Sequence, residues 1–482
     1  MQNYIYSLLV LLSFSYVINA ADSDGKDFVF SFIESYDDTS AFTSLSAIII
    51  PSYNDSICTF KYTQASDKQV VSIQTKALYG KTNEIFLPFE QVILKAEYVF
   101  NHFKNFEAND FRLFASCTEE VKLLARYQDP YYMNGDMYVV PSIPNAGNKY
   151  IFSVPTQTYP VKGFISILPI SQENNITLTI VGYVNGVLFS NETTEYDTTI
   201  GKPQHYITIM PLNIDNYNSS ISISANMNFM LTYVTPIAAT SNNEDDGSCG
   251  KTCGNNYVAF MPVPVVSKKC NQLLSSPDLR LMTNDFTTRL HISPPSVDYN
   301  CNEDFSMDVY DKEGNVDHKV ISKTGLSLIS LVDQSEIGSS TNAGEMPVYR
   351  FGSILNHPDN LTAYGHFAHY VPSVQEWVTG KTQFYTLAKN CFIEFYADQD
   401  GSNTDFIKLD GLFLSKYPYT SNKMNYFKRS YGHIIVPVSG YGLHTFENGG
   451  KYVMYVICKT AYAKYDSSGY LTGFNRRKPK FF

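Results

Sequence analysis

Short runs in which apolar and polar residues alternate recur along most of the chain. "QVVSIQTKAL", "ITLTIVGYVNGVLF", "SISISANMNFMLTYV" and "KYVMYVIC" carry a period of two and are rich in β-branched and aromatic side chains, as strands with a buried face are. Turn-forming dipeptides punctuate them: Asn134-Gly135, Asn185-Gly186, Asp400-Gly401, Asp410-Gly411 and Asn448-Gly449. Helical periodicity is scarce, and its best candidate, "FEQVILKAEYVFNHF" (89–103), reads equally well as a pair of strands. The pattern predicts an all-β chain whose short antiparallel strands favour sandwich-like units over a barrel or a propeller.

Comparing the chain with itself adds an organisation. "YVVPSIPNAGNKY" from Tyr138 resembles "YVPSVQEWVTGKTQFY" from Tyr370, which sets Pro141 against Pro372. "FISILPISQENNITLTI" from Phe164 parallels "FIEFYADQDGSNTDFI" from Phe392, and "HYITIMP" from His205 parallels "HIIVPV" from His433, both at an offset of 228. "NFMLTYVT" then matches "KYVMYVICKT". Matches in one order near one offset predict two tandem related β-sandwich-like repeats, 21–243 and 257–475. A polar linker, 244–256, separates them, and a basic tail, 476–482, follows.

The N-terminus changes the setting. An apolar run from Ile5 to Ile18 ends at Asn19-Ala20-Ala21-Asp22, too short to span a bilayer and suited to a signal peptide, 1–20, cleaved near Ala20. The chain is therefore expected to be secreted and extracellular, with no membrane span. Five acceptor triplets, at Asn54, Asn175, Asn191, Asn218 and Asn360, make it a candidate glycoprotein. A net charge of −10 argues against a nucleic-acid partner. The tail residues Arg476, Arg477, Lys478 and Lys480 read as a solvated terminus.

An oxidising destination turns the eight cysteines into disulfide candidates. Cys391 and Cys458 lie in matched segments whose counterparts, near Gly163 and Thr235, lack cysteine. Cys58 and Cys117 map near Phe286 and Glu345, which lack it too. Cysteines absent as pairs are expected to bond as pairs. Cys249, Cys253, Cys270 and Cys301 then pair among themselves, with three connectivities open. Zinc is disfavoured there by irregular spacing, the absence of a nearby histidine and the compartment.

Other chemistry fails on spacing. Gly-Lys-Thr occurs at 80, 250 and 380, but the glycine a phosphate loop needs five positions earlier is Thr75, Asp245 and Gln375. No G-x-S-x-G elbow occurs. His366 and His369, three apart on a strand, face opposite ways and cannot share an ion. "DQDGSNTD" (398–405) lacks the glycine position and the bidentate Glu of a calcium loop. With 37 Tyr and 32 Phe against one Trp, aromatics are expected to line sheet faces. An exposed aromatic patch around Tyr370, Trp377 and Tyr385 is the predicted binding surface. No cofactor, metal or catalytic residue is expected. The ligand would be an extracellular protein or glycan, and the alternative is a carbohydrate-active protein, either a lectin-like module or a glycosidase with dispersed carboxylates.

"HYVPSVQEW", "TQFYTLAKNCFIEFYADQDGSNTDFIKLDG", "YGHIIVPVSGYGLHTFENGGKYVMYVICKT" and "GYLTGF" resemble the N-terminal domain of the IgG Fc-binding protein family, as does "GDMYVVPSIPNAGNKYIFSV" earlier in the chain. Trp377 is followed by Val378, and a glycine comes only at Gly380, a departure from that pattern. The von Willebrand type D modules of the large members do not follow in this sequence. The resemblance implies a secreted mucosal or matrix binding protein, with a possible role in innate defence. It supplies no catalytic residues, and it carries over no immunoglobulin-binding motif.

Overall fold

The computed structural model describes residues 21–34, 42–95, 103–131, 134–153, 163–209, 218–238, 256–298, 300–331, 333–355, 363–462 and 466–482. Nearly all of its regular structure is β, with one four-residue helix at Phe89–Val92 inside the segment that carried the best helical pattern.

One connectivity recurs four times, in units spanning 25–140, 147–260, 278–371 and 378–471. Each unit is built on a long strand: Leu113–Asp129, Ser219–Ala238, the pair Glu336–Thr341 and Val348–Leu355, and Gly442–Lys459. In unit 1 the first half of that strand pairs with Gly25–Phe30 and Ser56–Thr63, and its second half with Ser44–Pro51 and Asn134–Val140. Val70–Ala77 and Glu84–Leu87 extend the two halves. The other units repeat this order strand for strand. In unit 3 the long strand is broken between residues 341 and 348, where Gly344 takes a φ of +142° and Pro347 lacks a donor. Each unit is thus an outer and an inner sheet sharing one strand. The recurrence has about half the spacing expected from the sequence matches. His205 lies in Gln204–Ile209 and His433 in Arg429–Val438, the strands that hold the same place in units 2 and 4.

The last strand of each unit (Asn134–Val140, Asn256–Phe260, Ala363–Val371 and Ser467–Leu471) faces its counterparts, and the four pack in a closed cycle. Asp136 ties this hub together: it accepts hydrogen bonds from Ala259 N at 3.0 Å, Ser468 Oγ at 2.8 Å and Met137 N at 2.8 Å. Asn256 Nδ2 donates to the carbonyls of His366 and Ser467. The axis is filled by side chains, leaving a void of about 20 Å³ beside Tyr138, Phe260, Tyr370 and Tyr470. The chain ends close the cycle, because Ser23 N donates to Phe474 O, and Phe474 N to Ser23 Oγ.

This arrangement buries both faces of the inner sheets. In "SAIII", Ala47 and Ile49 pack in the core of unit 1, while Ile48 and Ile50 pack against Ile393, Phe395, Met454 and Val456 of unit 4. That is why these segments are continuously apolar.

Cys58 and Cys117 are bonded across directly opposed positions with Cα atoms 4.0 Å apart, and Cys391 and Cys458 likewise at 3.9 Å. Cys270 pairs with Cys301. Cys249 and Cys253, the signal segment and most of the linker lie outside the described residues.

Candidate functional site

The expected aromatic patch is not on the surface. Tyr370, Trp377 and Tyr385 are all buried. Tyr370 donates its hydroxyl to Glu376 at 2.8 Å, Trp377 packs edge-on against Tyr431, and the Tyr385 backbone binds the Tyr470 hydroxyl. The reason is their position: they sit where the chain passes from the hub strand of unit 3 into unit 4, a connector enclosed between units. His366 and His369 are buried there too, stacked on Phe351 and Tyr455, and burial beside Arg350 pushes the His369 ring down to about 3.

Large apolar residues reach solvent elsewhere, at the hairpins that end the outer sheets of units 2 and 4. In unit 2, Asn185 and Gly186 turn with φ of 49° and 76°; in unit 4, Asp410 and Gly411 turn with φ of 49° and 78°. Positive φ at both central residues is the tight turn that Asn-Gly and Asp-Gly favour. In unit 2 it is followed by Val187, Leu188 and Phe189, all exposed. In unit 4 Leu412 and Phe413 follow, beside Phe406, which is 69% exposed. Lys408 Nζ lies 5.6 Å over the Phe413 ring. The matching connections in units 1 and 3 are polar, "QASDKQ" and "DKEGN". The signal for this surface was in the sequence: a turn dipeptide followed at once by large apolar residues, at 185–189 and 410–413.

The sequons divide the units further. Asn175, Asn191 and Asn218 are exposed and lie in or beside the outer sheet of unit 2, and Asn54 is exposed in a turn of unit 1. Asn360 lies outside the described residues. Unit 4 contains no sequon.

A cleft of about 370 Å³ opens where the C-terminal tail crosses units 2 and 3, lined by Asn148, Asn228, Arg280, Glu345, Glu376 and Arg477. In the tail Arg476, Lys478 and Lys480 are exposed, as expected of a solvated terminus, whereas Arg477 is half-buried. Arg477 pairs with Asp278 at 3.3 Å and Glu345 at 3.0 Å, and Ser275 N donates to Lys480 O. Burial, reinforced by Glu376 and Asp278, pushes the Glu345 carboxyl up to about 8, and burial also raises Glu376. Arg280 is in turn bound to Asp278 and the Val371 carbonyl. The charged groups of the cleft are engaged with one another.

A second buried network joins units 3 and 4. Arg350 Nη1 lies 2.6 Å from Glu394 Oε2, with both side chains fully buried, and Glu394 Oε1 accepts from Tyr396 at 3.0 Å and contacts His433 Nε2 at 3.1 Å. Burial alone would raise Glu394, but Arg350 and His433 hold it down to about 2. "DQDGSNTD" forms a turn in which Asp398 accepts from Gly401 N and Lys451 N. Among the described residues, the three-residue group with metal-ligand spacing is Cys270, Cys301 and Glu303, and both its sulfurs are in a disulfide.

No protein-family model and no curated protein matches the chain. Among solved structures, an anti-sigma factor domain-containing protein is 7% identical over 83% of this chain and 93% of its own, with a TM-score of 0.11. The Pleurotus ostreatus lectin POL is 10% identical over 50% of this chain and 82% of its own, with a TM-score of 0.09. Likeness this weak carries no argument about fold or activity. No helix among the described residues is long and apolar enough to cross a membrane.

Proposed function

We propose that the chain is a secreted, N-glycosylated binding protein of mucus or matrix, and that the unit 4 hairpin is its partner-binding face. The observation that carries this is the exposed trio of Phe406, in the 3-10 turn Thr404–Phe406, and Leu412 and Phe413, just after the Asp410-Gly411 turn, in the unit that has no sequon. Three large apolar side chains together in solvent mark a contact site more often than an ornament. Lys416 borders them, Lys408 is paired with Glu447 at 3.7 Å, and Asp405 and Asp410 lie alongside, so an extracellular protein with an apolar pocket and a mixed-charge rim is the complementary partner. The resemblance to the N-terminal domain of the IgG Fc-binding family supports a mucosal setting. The recurring connectivity supports descent by duplication, with units 1 and 2 matched to units 3 and 4.

The test is capture of partners from mucus, immunoglobulin and microbial surfaces by the secreted protein and by Leu412→Ser/Phe413→Ser. Binding lost in the variant, with an unchanged melting temperature, supports the reading; binding retained overturns it.

A carbohydrate-active protein is the second reading, favoured by the polar 370 Å³ cleft and its Glu345 and Glu376 carboxyls. Turnover or binding of a glycan abolished by Glu376→Gln would establish it.

A further inference from the structure

The outermost strand of each outer sheet is a free edge, and edges invite pairing with another chain unless something prevents it. The four equivalents are Val70–Ala77, Val187–Asp197, Val316–Ile321 and Leu412–Phe413. Three have evident protection. The unit 4 strand is two residues long. The unit 3 strand carries Asp317, His318 and Lys319, and the unit 1 strand carries Lys76, paired with Asp55 at 3.1 Å.

The unit 2 strand is different. It runs for 11 residues, pairs only with Asn175–Val184 among the described residues, and is exposed or half-exposed throughout. It contains neither Lys nor Arg, its acidic residues Glu192, Glu195 and Asp197 all lie in its second part, and its first stretch Val187–Phe189 is uncharged and apolar. Such a segment on an open edge is an aggregation hazard.

At its middle lies Asn191, opposite Val181. Thr179 and Thr193 share a hydrogen bond at 3.2 Å across the exposed face, and alternation puts Asn191 on that same face. Asn191-Glu192-Thr193 is an acceptor triplet, and Asn175 lies at the far end of the same hairpin, opposite Asp197. Asn218, beside the turn, donates its backbone N–H to Asn185 Oδ1.

We propose that a glycan on Asn191 is the protecting group of this edge: it keeps Val187–Asp197 from pairing with the same strand of a second copy. This rests on the glycoprotein reading above. A bulky, hydrated glycan placed mid-strand does what a lysine, a charged run or a very short strand does for the other three units.

The experiment compares the secreted protein with Asn191→Gln, Thr193→Ala and Thr193→Lys, and with wild type deglycosylated after folding under native conditions. Glycopeptide mass spectrometry reports occupancy of each site, and light scattering reports mass across a concentration series. The wild type and Thr193→Lys, which loses the glycan but gains an edge charge, should remain at monomer mass. Asn191→Gln, Thr193→Ala and the deglycosylated wild type should at least double in mass as concentration rises. The proposal is overturned if Asn191 is bare while Asn175 or Asn218 is occupied, or if the deglycosylated protein stays monomeric. A bare chain at every sequon overturns the glycoprotein reading itself.

Discussion

The two halves of each long strand live in different surroundings. In Gly442–Lys459 the first half alternates, with Phe446 and Asn448 buried and Glu447 and Gly449 exposed, whereas Tyr452–Cys458 is buried without interruption. Leu113–Asp129 is less regular in its first half, where Ser116 and Thr118–Glu120 are exposed around buried Cys117, but it too is buried without interruption from Val121 to Tyr127. The first half serves a sheet with one wet face, while the second serves a sheet enclosed between its own core and the next unit. A single strand therefore shows that local pattern follows the number of buried faces, not the strand state alone. The burial predicts that stability resides in the inner sheets and the hub.

The largest break in that comparison should come from Glu394→Leu, which leaves Arg350 charged and uncompensated between units 3 and 4. The expected loss is about 3–5 kcal/mol, read from denaturant unfolding, and the double variant Arg350→Met/Glu394→Leu should recover most of it. Next, Met454→Ala in the inner half should cost about 2–5 kcal/mol, against less than about 0.5 for Glu447→Ala in the outer half of the same strand. Equal costs would remove the distinction. Replacing both Cys391 and Cys458 by Ala should cost about 2–4 kcal/mol, measured as a shift of the unfolding midpoint.

A smaller effect concerns pH. Burial pushes the Asp136 carboxyl up from 3.8 to about 8, against the pull of its three hydrogen bonds. The folded hub thus holds that proton more tightly than the unfolded chain does. Its stabilisation is complete below about pH 4 and is lost as pH rises through 8. Glu345 acts in the same direction. The melting temperature should therefore be higher near pH 5 than near pH 8.5, and Asp136→Asn should flatten part of that slope. A variant with the wild-type slope would remove Asp136 from the account.

Much of this could be read from the chain. Period-two runs marked outer strands of units 1 and 2, and Asn185-Gly186 and Asp410-Gly411 marked outer hairpins. "KYVMYVIC", however, belongs to a buried inner half, and Asn448-Gly449 lies within the strand Gly442–Lys459 rather than in a turn. Shared absence of cysteine between matched segments paired Cys58 with Cys117 and Cys391 with Cys458. The hub could not be read this way. Asp136, Asn256, His366 and Ser468 are more than a hundred residues apart in places, and nothing local to "GDMYVV" or "GHFAHYV" says that four such strands meet. The binding surface was misplaced for a related reason. An aromatic-rich connector such as "YVPSVQEWV" looks alike whether it faces water or a neighbouring unit, and the closure of the four units decided which. The exposed tips left a signal in the turn dipeptides followed by large apolar residues, but nothing local tells exposed Leu412 from buried Leu409, its partner across the turn.

The meeting of Met137 with Ser468 sets a condition on biosynthesis. The two are 331 residues apart, and at about 5–20 residues per second a ribosome needs roughly 20 to 70 s to cover that interval. Throughout it, the first unit has been made but the fourth, which covers Ile48 and Ile50, has not. Its apolar outer wall must wait, uncovered, for the end of translation. Truncations that remove only the last hundred residues leave that wall permanently uncovered and should be degraded rather than accumulate as smaller folded proteins.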